Sequence, residues 1–374
     1  MKTLVTGGAG FVGTNLIRRL LKDGHQVVSL DNYSCGFESN HQDGCKYYNV
    51  DLVDTEDYSF FIDKPDVIFH LAALARIQPS FDKPTETVKS NFTGTQHILE
   101  WSRTNGKIPV IYAGSSSMHG DLYCNPYTFS KWQGEELCKL YSQCYEVPTT
   151  ICRFYNVYGP YQLTEGEYCT VVGIFERQYK NGEPLTITWD GEQRRDFTHI
   201  DDIVDGLMRC SEHFTFMGEE FELGTGNNYS INQVVDAFGE DYPREYIDRR
   251  PGEMLTTLCT DNKAHKLLDW YPSKDLIEFI KKTYVEWILT YYLLLKGDTK
   301  TDLLSESNVL GEESFGKFYP SHGFEAFHKI IHEHPELLSE SRILTDMGKE
   351  LTITKFFDVL EKLHIQKSTW HLNI

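Results

Sequence analysis

Tyr127 and Lys131 form the pair of side chains best suited to acid–base chemistry. Residues four apart on a helix share a face, so the phenol and the ammonium group would project together. A free tyrosine has a pKa of about 10, and an adjacent cation favours the phenolate and brings it into range as a base. The same spacing is common on solvated helix faces, so the pair alone leaves both interpretations open.

Ser115 can take part in the same chemistry. It begins the run Ser115–Ser117 at the end of a predicted strand and precedes Tyr127 in the chain. Its hydroxyl can hydrogen-bond the substrate oxygen that Tyr127 deprotonates. A serine, a tyrosine and a lysine in this order favour a catalytic site if the surrounding fold binds a cofactor beside them.

The first thirteen residues predict such a fold. A short buried strand at residues 3–6 is followed by three spaced glycines and then by an apolar helix. Gly7 permits a tight turn, Gly10 lets the backbone approach a pyrophosphate, and Gly13 lets the helix pack closely on the strand. The free N–H groups and the positive end of the helix dipole would receive the phosphate charge. This spacing indicates a dinucleotide site.

Asp31 supports the same interpretation. It ends a second predicted strand about twenty residues after the glycines, at the position from which an acid holds a ribose 2′-hydroxyl. A carboxylate there would repel a 2′-phosphate, so the predicted cofactor is NAD and not NADP.

Strands alternate with helices through the first half of the chain. This alternation predicts an α/β, Rossmann-type, doubly wound parallel sheet, with the ligand outside the carboxyl ends of the strands where the strand order reverses. The predicted strands are 3–6, 25–31, 45–50, 65–70, 105–112 and 147–153, and the long predicted helices are 85–102 and 127–145.

The chain is predicted to have three parts. Residues 1–155 form the NAD-binding domain, with later segments returning to it. Residues 156–295 form mainly a smaller mixed α/β substrate lobe that closes with a helix over 274–295. Residues 296–374 form a helical extension of unknown role. His328, His332, Glu333 and His334 there fit either zinc or a solvated helix face, and no metal is predicted.

Composition narrows the class of protein. The net charge of −19 and pI of about 5.2 argue against non-specific binding to nucleic acid or to an anionic membrane. An anionic ligand would therefore depend on a few local arginines. Nine cysteines, an odd number without CxxC pairs, favour reduced thiols. Without a signal peptide or membrane-length apolar run, we expect a cytoplasmic protein.

An ordered series of motifs carries a family resemblance. Over about residues 1–290 the chain resembles the extended short-chain dehydrogenases/reductases of the nucleotide-sugar epimerase/dehydratase family, with UDP-glucose 4-epimerases the nearest type. The motifs are Thr6–Gly13, Asp31-Asn32, Asp51-Leu52, His70–Ala73, Asn91–Thr95, the Ser/Tyr/Lys set, Arg153–Pro160, Arg195–Asp202 and Arg249–Glu253.

The resemblance implies roles for individual residues and a homodimer. Catalysis would fall to Ser115, Tyr127 and Lys131. Cofactor contacts would come from Gly7, Gly10, Phe11, Val12, Gly13, Asp31, Asn32, Asp51, Leu52, Leu71, Ala72, Ala73, Asn91, Tyr127 and Lys131. The sugar nucleotide would contact Ser115, Ser116, Asn156, Arg195, Arg250 and Thr257, although Arg195 beside Asp196 also fits an ordinary ion pair.

The residues after Ser115 bear on the reaction. Relatives that dehydrate or decarboxylate the sugar usually carry an acid there, whereas this chain has Ser116 and Ser117. This favours NAD-dependent 4-epimerisation of a UDP-hexose through a 4-keto sugar. The alternatives are a 4,6-dehydratase, a decarboxylase, a 4-keto reductase or, in another class, a non-catalytic NAD-sensing protein.

Two further positions affect the sugar pocket. In the resembling epimerases, the position aligned with Thr257 gates 2-acetamido sugars, so a small residue here predicts that UDP-N-acetylglucosamine is admitted as well as UDP-glucose. His119 stands where the family has tyrosine. It can titrate near neutrality, but a packed substitute for tyrosine is the favoured interpretation.

Overall fold

The computed structural model describes residues 1–285. Met1–Val235 and Pro243–Glu278 form one compact unit, and the site described below lies within it. The strands are β1 Lys2–Thr6, β2 Gln26–Asp31, β3 Cys45–Asn49, β4 Val67–His70, β5 Val110–Ser115, β6 Thr149–Phe154, β7 Leu185–Thr188, β8 Arg194–Asp196, β9 Met217–Leu223, β10 Asn228–Ser230 and β11 Arg244–Ile247.

A seven-stranded sheet organises this unit. Its order is β3-β2-β1-β4-β5-β6-β9, and every neighbouring pair is parallel. The chain builds outward from β1 in one direction through β2 and β3, and then in the other through β4, β5 and β6. The order therefore reverses between β1 and β4, which confirms the predicted doubly wound sheet and locates its switch point.

Helices cover both faces of the sheet. They are α1 Phe11–Lys22, α2 Ile77–Asp82, α3 Pro84–Val88, α4 Gly94–Thr104, α5 Pro126–Tyr145, α6 Val171–Lys180, α7 Ile200–Cys210, α8 Ile231–Asp236, α9 Lys263–Leu268 and α10 Leu276–Ile280. Side chains alternate between the faces along each strand. Val5 of β1 packs in the core with α1 and α7, and Leu4 packs in the core with α4 and α5.

The smaller lobe holds two short sheets. β7 and β11 pair in parallel, whereas β8 and β10 pair antiparallel. These pairs confirm the mixed α/β character predicted for this part of the chain. The closing helix predicted over 274–295 begins as α10, and a π turn continues it at Lys281–Val285. The rest of that helix, the extension 296–374 and its four candidate zinc ligands lie outside the described residues.

Two predicted elements differ most from the structure. The fifth strand was predicted from residue 105, but β5 begins at Val110. Asn105 ends α4, and Gly106 and Lys107 have φ of 95° and 58°, so this Asn-Gly-Lys segment is a turn. The helix predicted over 85–102 is divided into α3 and α4 by a π turn at Lys89–Thr93.

Two features are absent from residues 1–285. No helix in this range has both the length and the hydropathy needed to cross a bilayer. Nor do three or more His, Cys, Asp or Glu side chains in the same range converge in a geometry that suits a metal ion.

Candidate active site

A cavity of about 830 Å³ lies at the carboxyl edge of the main sheet. The β1–α1 turn forms its floor. Two features of this turn suit a pyrophosphate, namely the close approach of backbone segments at its glycines and the free N–H groups at the start of α1. A Cβ on Gly13 would lie 2.2 Å from the Gly7 carbonyl oxygen, and one on Gly7 would lie 2.8 Å from the Ala72 nitrogen. Gly7 also has φ of 71°. Only glycine allows this close approach, and no side chain caps α1 at Gly10, so its N-terminal N–H groups can bind an anion.

Asp31 lies at the end of β2 beside this turn. Its carboxylate accepts hydrogen bonds from the backbone N–H of Ala9 at 2.9 Å and of Tyr33 at 2.8 Å. Burial raises the pKa of Asp31, while these backbone donors act in the opposite direction. Each carboxylate oxygen keeps a further lone pair, so the side chain can hold the turn and still accept a ribose hydroxyl.

The hydroxyls of Tyr127 and Ser115 meet at the opposite end of the cavity. The Tyr127 hydroxyl donates to Ser115 Oγ at 3.1 Å, and Ser115 Oγ lies 2.9 Å from Ser117 Oγ. Both residues line the cavity. Burial raises the pKa of Tyr127, and the Ser115 hydrogen bond and the charge of Arg76 oppose this rise. The phenol is thus placed to exchange a proton with an oxygen bound beside Ser115.

Lys131 lies one helical turn beyond Tyr127 on α5. It is buried, and its Nζ lies 4.2 Å from the centroid of the Tyr112 ring. Burial lowers the pKa of Lys131 to about 8, although the nearby Glu135 favours the charged form. The sequence predicts that Lys131 lowers the pKa of Tyr127. In the structure, the two largest effects that oppose the rise of this pKa come from Ser115 and Arg76. Burial of the ammonium group explains the difference, because a pKa of about 8 means that Lys131 has lost its proton before the buried phenol ionises.

The substrate-lobe side of the cavity is organised around Thr257. Its Oγ1 accepts hydrogen bonds from Asn156 Nδ2 at 3.0 Å and from the Asp196 backbone N–H at 3.1 Å. Arg195 Nη1 donates to two carbonyls, those of Arg194 at 2.9 Å and Leu255 at 3.3 Å. Arg195 and Thr257 both line the cavity, so a fixed hydroxyl and a guanidinium share one wall.

The alternative reading of Arg195 as an ordinary ion pair with Asp196 is wrong. The Asp196 carboxylate is buried and accepts from the backbone N–H groups of Thr225, Gly226 and Cys259. Within residues 1–285, Arg195 forms no ion pair, and burial lowers the pKa of its guanidinium. Its donors are therefore available to an anion in the cavity.

Comparison with known proteins identifies the chain. Residues 3–224, more than half of it, match the NAD dependent epimerase/dehydratase family. The chain belongs to this family. The predicted cofactor, NAD, is the one for which the family is named, and the glycine turn described above fits it.

Individual relatives of the chain span more than one reaction. The chain is 33% identical over 306 residues to a UDP-glucose 4-epimerase of Mycolicibacterium smegmatis, covering 76% of this chain and 97% of the relative. It is 31% identical over 254 residues to a UDP-N-acetyl-alpha-D-glucosaminuronate decarboxylase of Bacillus cytotoxicus, covering 63% and 78%. The crystal structure of UDP-glucose 4-epimerase with UDP-glucose from Thermotoga maritima superposes with a TM-score of 0.72 at 30% identity, covering 78% and 99%.

Nearly all of the predicted site residues lie on the cavity wall. The wall includes Gly7, Gly10, Phe11, Val12, Gly13, Asp31, Asn32, Asp51, Leu52, Leu71, Ala72, Ala73, Ser115, Ser116, Tyr127, Lys131, Asn156, Arg195, Arg250 and Thr257. Asn91 is the exception. It is buried behind the wall, where its side chain bonds both backbone groups of Leu74 and the Ser130 hydroxyl, so it supports the wall.

Sequence reasoning missed a buried charge network behind Ser115. Glu135 Oε1 accepts from the Ser115 backbone N–H at 3.3 Å, and Glu135 Oε2 accepts from Arg153 Nε at 2.9 Å and Nη2 at 2.8 Å. Arg153 Nη1 donates to Glu222 at 2.8 Å. Burial opposes the charge on Arg153, but its hydrogen bonds with Glu135 and Glu222 outweigh burial and raise its pKa. The network fixes the end of β5, which carries Ser115.

His119 does not pack as the sequence predicts. Its side chain is 46% exposed, and Nε2 lies 3.0 Å from Oε1 of Glu222. The hydrogen bond to Glu222 raises the pKa of His119 against the effect of burial. Because Glu222 supplies a buried carboxylate at this point, an imidazole can bond to it from the surface without filling the place of a tyrosine.

Arg76 is a cavity residue that the sequence did not indicate. It follows β4, lines the cavity, and donates from Nε to the Tyr168 carbonyl at 2.8 Å and from Nη1 to the Ala75 carbonyl at 2.9 Å. The only sequence signal is its place, six residues past the strand end at the switch point. Its partners in the 168–169 segment are remote in the chain, so no local pattern could have revealed them.

Proposed function

We propose that the chain catalyses NAD-dependent 4-epimerisation of a UDP-hexose, either the UDP-glucose/UDP-galactose pair or the corresponding N-acetylhexosamine pair, through a 4-keto sugar. The observation that carries this proposal is the 3.1 Å hydrogen bond between Tyr127 and Ser115 at the wall of the cavity whose floor is the glycine turn. This hydrogen bond supports the proposal because it holds the Tyr127 hydroxyl, which can transfer a proton, on the wall of a cavity that a cofactor and a sugar could share.

NAD, when bound, would accept a hydride from carbon 4 of the sugar and return it. Tyr127 takes the proton of the 4-hydroxyl as the sugar is oxidised and gives it back on reduction. Ser115 donates a hydrogen bond to the same oxygen and orients it. Lys131 holds the nicotinamide ribose and supplies positive charge behind the phenol. These roles use side chains already held within one pocket.

The other residues of the cavity wall are assigned to the cofactor or to the substrate by the chemistry of their side chains and backbone groups. The N–H groups at the start of α1 bind the cofactor's pyrophosphate, Asp31 accepts a ribose hydroxyl, and Asp51 and Leu52 contact the adenine. Asn156, Arg195 and Arg250 hold the diphosphate and uridine of the substrate. Guanidinium groups suit this task in a protein of net charge −19, because they supply fixed local positive charge.

The residues beside Ser115 favour epimerisation over decarboxylation or 4,6-dehydration. Elimination or loss of a carboxyl group next to a 4-keto centre needs a further proton-transfer residue. Ser116 and Ser117 are buried serines at that place, and the nearby Glu135 is bonded to Arg153. Because one of the relatives is a decarboxylase, decarboxylation of the sugar is the second candidate reaction, and reduction of a 4-keto sugar is a further one.

The first test is incubation of the purified protein with UDP-glucose and, separately, with UDP-N-acetylglucosamine, followed by proton NMR. Formation of the 4-epimer without accumulation of NADH is expected. A 4-keto product would replace the proposal with a dehydratase. Decarboxylation needs a sugar with a 6-carboxylate, so a parallel incubation with UDP-glucuronate tests it, and a pentose product there would replace the proposal with a decarboxylase. Binding of NAD with no turnover of either sugar would favour another nucleotide sugar or the NAD-sensing alternative.

Substrate size is proposed to depend on Thr257. Its hydroxyl is held by Asn156 and by the Asp196 N–H, so the small side chain is fixed and leaves room in the cavity. Thr257→Tyr is expected to reduce turnover of UDP-N-acetylglucosamine and to leave UDP-glucose largely unaffected. Thr257→Ser, which keeps the hydroxyl and the space, is the matched control. Equal handling of both sugars by the tyrosine variant would remove the gate from the proposal.

Assembly, location and domain limits complete the proposal. We propose a homodimer, with the division near residue 155 between the NAD-binding domain and the substrate lobe. Sedimentation of the purified protein would test the oligomeric state. We also propose that the enzyme acts in the cytoplasm, and this is supported by the nine cysteines, all of which are free thiols in the structure.

A further inference from the structure

The cavity wall carries one cation to which the proposed function gives no task. The cationic side chains on the wall are Arg76, Lys131, Arg195 and Arg250. Lys131 is assigned to the nicotinamide ribose, and Arg195 and Arg250 to the diphosphate of the sugar nucleotide. Arg76 is left over.

Arg76 is held by the protein without being neutralised. Its Nε donates to the carbonyls of Tyr168 and Cys169, and its Nη1 donates to the Ala75 carbonyl. All of these acceptors are neutral. Within residues 1–285 no Asp or Glu bonds to or pairs with Arg76, and Nη2 has no hydrogen-bond partner. The guanidinium fork is therefore fixed in place with one edge free to bind an oxygen pair.

The position of Arg76 limits what that edge can meet. The residue follows β4 at the switch point of the sheet, where a dinucleotide's pyrophosphate is expected. It is also close enough to Tyr127 for its charge to lower the pKa of the phenol, and near Cys35, just beyond β2. It thus lies between the adenosine side of the cavity and the reaction centre. A dinucleotide bound across these two places would bring its diphosphate into this region, and an acidic group on a sugar held at Tyr127 would reach it as well.

We propose that Arg76 is an anion-binding residue of this cavity, which receives a pair of ligand oxygens on its free edge. The pair belongs either to the diphosphate of NAD or to the carboxylate of a nucleotide-linked hexuronate. The second source rests on the 4-epimerisation proposed above but would replace its neutral hexose by a hexuronate, whereas the first is independent of which sugar is used.

The test uses pairs of ligands of which one carries the anionic group and the other lacks it. For the cofactor arm, NAD and adenosine are titrated into the wild type, Arg76→Gln and Arg76→Lys. Loss of a charged hydrogen bond predicts an affinity about tenfold to hundredfold weaker for NAD in Arg76→Gln, with adenosine unchanged and partial recovery in Arg76→Lys. Arg103→Gln removes an equal charge from an exposed ion pair with Glu100 and is the control.

For the sugar arm, UDP-glucuronate and UDP-glucose are titrated into NAD-loaded Tyr127→Phe, which should not turn them over, with and without Arg76→Gln. A sugar-carboxylate role predicts a loss of the same size for UDP-glucuronate alone. A loss in one arm supports the proposal and identifies the source of the anion. Unchanged affinities in both arms, or equal losses for adenosine and UDP-glucose, would overturn it. These outcomes are separate from the turnover assay that tests the proposed function.

Discussion

The two sides of the cavity hold their charged groups differently. We call the side around Ser115, Tyr127 and Lys131, with Glu135, Arg153 and Glu222 behind it, the catalytic wall. We call the side that presents Arg76, Arg195 and Arg250 the cation wall. On the catalytic wall, Arg153 meets the carboxylates of Glu135 and Glu222. On the cation wall, within residues 1–285, the three guanidinium groups form no ion pair.

This difference teaches which interactions are complete before a ligand binds. Behind the catalytic wall, opposite charges are satisfied inside the protein, so the position of Ser115 is fixed by folding. The cation wall has carbonyl partners and keeps donors for an anion. We therefore expect changes on the catalytic wall to affect kcat and stability, and changes on the cation wall to affect ligand affinity.

The largest expected effect is that of Tyr127→Phe. Loss of the proton-transfer group should reduce kcat by about 10³-fold, within the usual range for general acid–base catalysis. NAD affinity should stay close to that of the wild type, because the ring and its packing are kept. The NMR turnover assay and an NAD titration measure the two quantities. Activity within tenfold of the wild type would remove Tyr127 from the mechanism.

Glu135→Gln tests whether the catalytic wall is fixed by its buried charges. The change leaves Arg153 with one fewer carboxylate and should lower the free energy of unfolding by about 3 kcal/mol, measured by urea denaturation. It should also lower kcat, because the Ser115 N–H loses an ionised acceptor. Glu136→Gln, one residue on and exposed, is the control and should cost less than about 1 kcal/mol. Equal losses for the two variants would break the comparison.

The buried ammonium of Lys131 predicts a pH dependence. Its pKa in the folded protein is about 8, below the ordinary value of 10.5, so the unfolded chain binds more protons between these two values. The contribution of Lys131 to the free energy of unfolding must therefore increase as the pH rises from about 8 to 10.5. The wild type should gain up to about 3 kcal/mol relative to Lys131→Met between pH 8 and 10.5. A flat or falling difference in unfolding free energy would contradict the shift.

Arg195→Gln addresses the cation wall. Loss of a charged hydrogen bond to the substrate's diphosphate should raise KM about thirtyfold, with little change in the melting temperature. Arg194→Gln is the matched neighbour. Arg194 bonds to the side-chain and backbone oxygens of Asn228, so its loss should lower the melting temperature and leave KM nearly unchanged. The reverse pattern would exchange the two assignments.

The parts of this site that the sequence predicts are those encoded by short spacing. The glycine turn, Asp31, and the Tyr127–Lys131 pair each depend on residues close together in the chain. Glu135 could have been added by the same rule, since it lies one further turn along the helix from Lys131. Glu222, the other carboxylate bonded to Arg153, could not, because β9 joins the network only through the strand order of the sheet.

Charged groups whose bonding partners lie far away in the chain are harder to predict. Nothing in the sequence around Arg76 indicates that its acceptors are neutral carbonyls in the 168–169 segment. The same limit applies to Asp196, whose three backbone donors come from two later segments, and it explains why an Arg195–Asp196 ion pair looked reasonable. The prediction for His119 failed for a related reason, because Glu222, the carboxylate to which it bonds, is on a distant strand.

The π turn at Lys89–Thr93 makes chain length at this point a part of the active site. Such a turn inserts one extra residue into a helix, and it contains Asn91, whose amide reaches both Leu74 and Ser130. Deleting one residue here would join α3 and α4 into a regular helix and rotate Asn91 away from both partners. A more regular helix would thus leave the loop after β4 unsupported, so single-residue deletions here should be rarer among functional variants than substitutions.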